Sequence, residues 1–211
     1  LFPDLQNNPA NLLKNTPTTV SALVALGKSM RDATPDNDQN SAIPAIYTYL
    51  GQFIDHDVTF DGGSMPANRL VSNAALRPLG IVDVRAMQNI RTSGLDLDCL
   101  YAKPAERARS SDPTIVQNDG PKMRIGRITK LNRPAIPTRR PAGSTEQHDV
   151  PRGPRAANAE IDREALIGDP RNDENTILSQ LHLAFLLAHN KLVDQGKSFI
   201  AARRTLRKHF H

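Results

Sequence analysis

The sequence predicts a mainly α-helical protein with long irregular connections. Three observations carry that prediction. A broad apolar stripe recurs at helical spacing through the last third of the chain. A shorter amphipathic segment of the same period runs from Pro44 to about Val58. Around them lie stretches with no sustained period, and one of these places five prolines between Pro134 and Pro154.

Taken in order, residues 1 to about 15 read as an extended arm, because Pro3 and Pro9 interrupt any helix. Residues 17–32 place Val20, Leu23, Val24 and Leu26 at roughly helical spacing, with Thr16 as the cap. Pro35 to Ser41 reads as a loop. The helix from Pro44 to about Val58 sets Ile46, Tyr49, Leu50, Phe53 and Ile54 on one side. Residues 61–80, and the run from about 102 to 165, lack a period and read as loops. Asn175 through Asp194 forms a long helix with Ile177, Leu178, Leu181, Phe185, Leu186, Leu187 and Val193 on its stripe, and Gly196 ends it. A last helix starts near Ser198 and runs through Phe199, Ile200, Ala202, Arg203 and Leu206 to His211 with no closing Gly or Pro. A chain that stops inside a helix reads as cut. The expected organisation is an arm and first helix over 1–43 and one domain over 44–211.

Composition narrows the functions. At 211 residues and 38% hydrophobic, the chain has enough apolar side chains for a core. Its longest apolar stretch falls well short of the roughly 18 residues of a membrane helix, so no membrane span is expected. No charged start followed by an apolar run opens the chain, so a signal peptide is absent or already removed. The single cysteine, Cys99, excludes an internal disulfide scaffold and a Cys-rich zinc site. Charge is uneven, with a balance of −3 over residues 1–100 and +8 over residues 101–211. With no Trp, and no aromatic residues interleaved with the basic ones, nucleic acid is not an expected partner.

Four segments carry chemistry. Gly51-Gln52-Phe53-Ile54-Asp55-His56-Asp57 sets an imidazole between two carboxylates, with an amide one turn earlier, beside apolar residues. Such charges need partners, a metal or a cofactor. Thr92-Ser93-Gly94-Leu95-Asp96-Leu97-Asp98 puts oxygen-bearing groups on alternate residues, counting the Gly94 carbonyl. In an extended loop this aims four oxygens the same way, as a hard cation such as calcium requires. Gly168-Asp169-Pro170-Arg171-Asn172-Asp173-Glu174-Asn175 opens the long helix with good starting signals, yet Arg171 lies beside a positive helix end and so calls for a partner or a job. His182 and His189, seven apart on that helix, read first as buried structural histidines.

In this order, from residue 44 onward, the motifs resemble the animal-type haem peroxidase superfamily (the peroxidase–cyclooxygenase group), most closely its bacterial-type members. The set is Gly51–Asp57, Thr92–Asp98 leading to Tyr101, Gly168–Glu174, and then Leu181-His182 through His189-Asn190. The resemblance implies a helical haem-peroxidase domain of which this chain is the distal half. The proximal, haem-ligating half would lie in a continuous or second chain, and neither His209 nor His211 is expected to stand in for its histidine. It implies haem b and calcium as cofactors, and hydrogen peroxide with a small-molecule electron donor as reactants. His56 matches the distal histidine, Arg171 the distal arginine and Gln52 the distal glutamine. Asp57 matches the calcium-binding aspartate, joined by Thr92, the Gly94 carbonyl, Asp96 and Asp98. Asp55 and Glu174 match the carboxylates that form ester links to haem in mammalian members. Asn175 stands where one mammalian enzyme has a sulfonium-forming methionine, so that link is impossible here. The expected function is a haem-dependent peroxidase, with an extracytoplasmic or secreted setting implied by the bacterial relatives. A fatty-acid dioxygenase of the same superfamily and a non-enzymatic calcium-stabilised fragment stand as alternatives.

Overall fold

A computed structural model describes residues 8–31, 41–60, 88–102, 115, 120–127, 148–158 and 162–211. The loop expected at 35–41 falls largely outside these residues. So do the segment 61–80 and much of the run from 102 to 165. The chain divides into two compact units, Leu1–Pro44 and Ala45–His211. Among the described residues the protein is mostly helical.

In the first unit a single 3-10 turn spans Pro9–Asn11, with the Asn8 side chain accepting from the Ala10 N–H. Helix α1 spans Pro17–Ser29. Thr16 caps it by accepting the Thr19 N–H at 3.2 Å, and Pro17 occupies the first turn, where its missing N–H costs nothing. No residue of α1 is buried, and the expected stripe of Val20, Leu23, Val24 and Leu26 is about half exposed.

The second unit contains α2 (Ile46–Val58), α3 (Asp98–Tyr101), α4 (Thr176–Asp194) and α5 (Phe199–Phe210). Two short antiparallel strands, β1 (Gly126–Arg127) and β2 (His148–Asp149), pair Gly126 with Asp149 and Arg127 with His148. The long helix α4 is the hub, packing on α2, α3 and α5. Its start is fixed by Asn175, whose side chain accepts the Leu178 N–H at 2.8 Å. Its end is a Schellman turn: Gly196 adopts φ 88°, its N–H bonds the Val193 carbonyl, and the Lys197 N–H bonds the Leu192 carbonyl. Ser198 then caps α5 through the Ala201 N–H. This reversal lets α4 and α5 share one core.

That core is aromatic where α2, α4 and α5 meet. Phe53 stacks on Phe185 with centroids 4.8 Å apart, and Phe210 meets both rings edge-on. Phe53 is fully buried and anchors the inner face of α2, which it shares with the buried His56 and Asp57 three and four residues on. Among the described residues, no helix is long and apolar enough to cross a membrane.

Candidate functional site

Three distant stretches of sequence meet at the C-terminal half of α2. Gln52, Asp55 and His56 lie at helical spacing on one face, and Asp57 lies about a quarter-turn further round. The loop 91–98 closes on Asp57, and the segment 168–175 closes on His56 and Gln52.

Asp57 is fully buried. Its carboxylate accepts the N–H of Leu97 at 3.0 Å and of Cys99 at 3.1 Å, tying the loop and the start of α3 to α2. Burial raises its carboxyl above the ordinary value against the pull of those two N–H groups, and the nearby Asp98 charge adds to the rise. Asp98 is fully buried and Asp96 nearly so. The Thr92 hydroxyl donates to Asp96 at 2.8 Å and lies 3.2 Å from Asp98, whose carboxylate also accepts the Thr92 N–H. Arg207 of α5 reaches Asp96 at 3.0 Å.

The loop is not extended, as alternate spacing alone had suggested. Leu97 takes a left-handed conformation at φ 57°, and the Asp96 N–H turns back to the Gly94 carbonyl. What gathers the oxygens is the Thr92 hydroxyl, together with Asp57 holding the strained Leu97 by its N–H. As the side chains stand, no three His, Cys, Asp or Glu groups among the described residues form a metal-holding set.

The second approach is the 3-10 turn Pro170–Asp173. Gly168 permits it: a Cβ there would lie 2.6 Å from the Ala102 nitrogen and the Cys99 carbonyl oxygen. Asp169, fully buried, caps the turn through the Arg171 N–H. The same carboxylate binds the Arg171 guanidinium through Nε and Nη2 and pairs with buried Arg91 at 2.8 Å. Burial works to raise its carboxyl, but Arg171 and then Arg91 outweigh burial and hold it below the ordinary value. The partner that the sequence demanded for Arg171 is therefore Asp169.

Arg171 is fixed further by two backbone carbonyls. Its Nη2 donates to His56 at 3.1 Å and to Thr59 at 2.6 Å. Phe60 lies under both cations, 4.7 Å from Arg171 and 5.0 Å from Arg91. Asn89 staples the end of α2 to the 89–91 segment, accepting from Phe60 and Arg91 and donating to Val58.

His56 is nearly buried. Its Nδ1 lies 2.7 Å from the amide oxygen of buried Asn172, and the Asn172 amide nitrogen lies 2.9 Å from Nδ1 of His182. On the same side, but open to solvent, Gln52 donates to Glu174 at 2.6 Å and accepts from Asn175 at 3.3 Å. Exposed Asp55 engages only Thr59 among the described hydrogen bonds. His182 and His189 are both fully buried. His189 donates from Nε2 to the Pro121 carbonyl and sits 2.9 Å from the Tyr101 hydroxyl through Nδ1. Cys99 is buried, and burial pushes its thiol well above the usual range, so it is no nucleophile.

The structure thus groups His56, Arg171, Gln52 and Glu174 on one side of the α2 end. It joins Thr92, Asp96 and Asp98 on another, and ties Asp57 to the same loop through the N–H groups of Leu97 and Cys99, without gathering the three carboxylates and the Gly94 carbonyl around one point. Sequence reasoning missed Asn172, Asp169, Arg91, Phe60 and Asn89. The first two stood inside a motif already singled out, flanking Arg171. Arg91 sits directly before Thr92, and only the fold reveals its partner. No family model, no curated protein and no solved structure matches the chain.

Proposed function

We propose that this chain is the distal half of a haem peroxidase domain with a calcium site beneath its catalytic helix. One observation carries the reading. The Arg171 guanidinium donates to the backbone carbonyl of His56, 115 residues away in sequence, and is held by Asp169 through Nε and Nη2, while the His56 imidazole is fixed separately through Nδ1. That leaves Nε2 of His56 and Nη1 of Arg171 for a ligand. A base beside a fixed cation is what a peroxide needs, because its O–O bond breaks with proton transfer and negative charge on the leaving oxygen.

The polar residues suit haem on the open side. Gln52 and Glu174 form a bonded pair there, with Asp55 one turn along the same helix face. When bound, haem would supply the redox chemistry and pass oxidising equivalents to a small-molecule donor. His56 would take the peroxide proton at Nε2 and return it to the departing oxygen. Arg171 would stabilise the charge that develops. Asp55 and Glu174 would be the carboxylates for any ester links.

For calcium the donor set fits by chemistry. It is all oxygen and comprises three carboxylates that are buried or nearly so, a hydroxyl and a carbonyl, and these would have to close on the ion because the side chains as they stand form no metal-holding set among the described residues. Calcium there would pin the 92–98 loop to the helix that aims His56.

The test is an ultraviolet–visible spectrum of purified protein, with the second half of the domain present, before and after one equivalent of peroxide. A Soret band that shifts on peroxide addition supports the reading. In His56→Ala the band should persist while the peroxide reaction slows by about 10²–10⁴-fold. Absence of the band, with calcium-dependent stability retained, would replace the peroxidase by a calcium-stabilised module.

A further inference from the structure

His56, Asn172 and His182 form a buried hydrogen-bond chain, with the Cys99 side chain also bonded to Asn172, and the direction of the chain follows from which amide atom faces each ring. The Asn172 amide oxygen faces His56 Nδ1 at 2.7 Å, and the amide nitrogen faces His182 Nδ1 at 2.9 Å. An amide oxygen only accepts, so His56 must donate from Nδ1. An amide NH2 only donates, so His182 must accept at Nδ1 and carry its proton on Nε2.

We infer that Asn172, locked in orientation by His182, is the positioning residue that holds His56 in the Nδ1–H tautomer, leaving the Nε2 lone pair free as the base. The inference rests on the reading of His56 given above and goes beyond it by naming what makes the histidine a base rather than a donor. A neutral histidine with its proton on Nε2 would present N–H to the ligand and could accept nothing from it.

His182 suits the part of an anchor. It is fully buried, and burial lowers its imidazole from 6.5 to about 4, so it stays neutral and keeps an acceptor at Nδ1 at neutral pH. Its Nε2 has no hydrogen-bond partner among the described residues. It also lines a cavity of about 10 Å³ together with Leu100, Gly168 and Ile167. The amide cannot turn over without setting its NH2 against a protonated Nδ1 of His56 and its oxygen against the bare Nδ1 of His182. A flip therefore needs both rings to change tautomer together.

The experiment is 15N NMR of the full chain labelled at histidine, haem-free and at neutral pH, reading the protonated or bare nitrogen type at each ring position. The expected result is His56 with Nδ1 protonated and Nε2 bare, and His182 the reverse. A His56 with its proton on Nε2 overturns the inference. Asn172→Asp offers only acceptors, so His56 should keep its tautomer while His182 switches its proton to Nδ1. Asn172→Ala should release His56 to a mixture of tautomers. Unchanged tautomers in a folded Asn172→Ala protein would overturn the inference, and the wild-type spectrum decides the question if neither variant folds. The two readings fail separately. A missing Soret band removes the peroxidase and leaves the tautomer result standing, whereas an Nε2–H His56 in a peroxide-reactive protein removes the positioning role alone.

Discussion

Acid should unfold this protein through His182, in a pH window set by that residue. Its imidazole sits at about 4 in the folded chain against an ordinary 6.5, because full burial disfavours the charged ring, while the Asp169 charge works weakly the other way. Between those values the unfolded chain binds a proton that the folded chain refuses. Stability is then complete above pH 6.5, declines as pH falls, and levels off below about 4. A shift of that size corresponds to about 3 kcal/mol in all, of which about 2 kcal/mol is lost by pH 5. For a chain of this length that is a fall in melting temperature of roughly 4–8 °C between pH 7 and pH 5. His189, also lowered by burial, acts in the same direction, and Asp57, raised by burial, acts in the opposite one. Comparison with His182→Gln cancels both. The assay is urea unfolding at half-unit steps from pH 7.5 to 4.5 for the two proteins. The wild-type midpoint should fall more steeply by the His182 share, whatever the absolute stability of the variant. Parallel profiles would refute the claim that a neutral buried His182 is built into this fold.

Three further perturbations probe the same architecture. Gly168→Ala forces a methyl against the Cys99 and Ala102 backbone and should cost about 1–3 kcal/mol in chemical denaturation; an unchanged midpoint would mean that the 168–171 approach is looser than described. Asp169→Asn removes the carboxylate shared by Arg91 and Arg171 and strands a buried guanidinium, so a loss of about 3–5 kcal/mol is expected from the same measurement. Calcium should raise the melting temperature of the wild-type protein, and Asp57→Asn should abolish that rise; a rise of equal size in the variant would take Asp57 out of the cation site.

The helices were legible because their signals are local. Thr16 and Asn175 act as caps, Gly196 takes the left-handed turn, and the α4 stripe buries Leu178 and Leu186 as its period implies, although Ile177 and Leu187 of the expected stripe stay exposed. The first helix shows the limit of that logic: its apolar residues keep helical spacing yet bury nothing among the described residues of their own unit. The site was legible only in part. His56, Arg171 and Gln52 announce themselves by being costly beside apolar neighbours. The groups that hold them act across 112 to 123 residues of sequence, and no periodicity records such a contact. The loop at 92–98 misled for a different reason, since alternate oxygens imply a common direction only if the backbone stays extended, and Leu97 turns it.

The run from Gly168 to Asn172 shows why residue types cluster as they do at such a site. Glycine comes first because the chain passes too close to α3 for a side chain. Aspartate follows because one buried carboxylate must cap the turn, grip its own arginine and neutralise Arg91. Proline starts the 3-10 turn with φ already set and no N–H to satisfy. That tight turn leaves Arg171 directed back at the α2 carbonyls while Asn172, one residue on, enters the core between two histidines. Lengthening the turn by one residue would turn the Asn172 side chain away from His56 and leave the imidazole with no acceptor at Nδ1. The spacing of arginine and asparagine is thus a mechanical requirement: one turn must set a cation on the carbonyls at the end of α2 and an amide between two buried imidazoles.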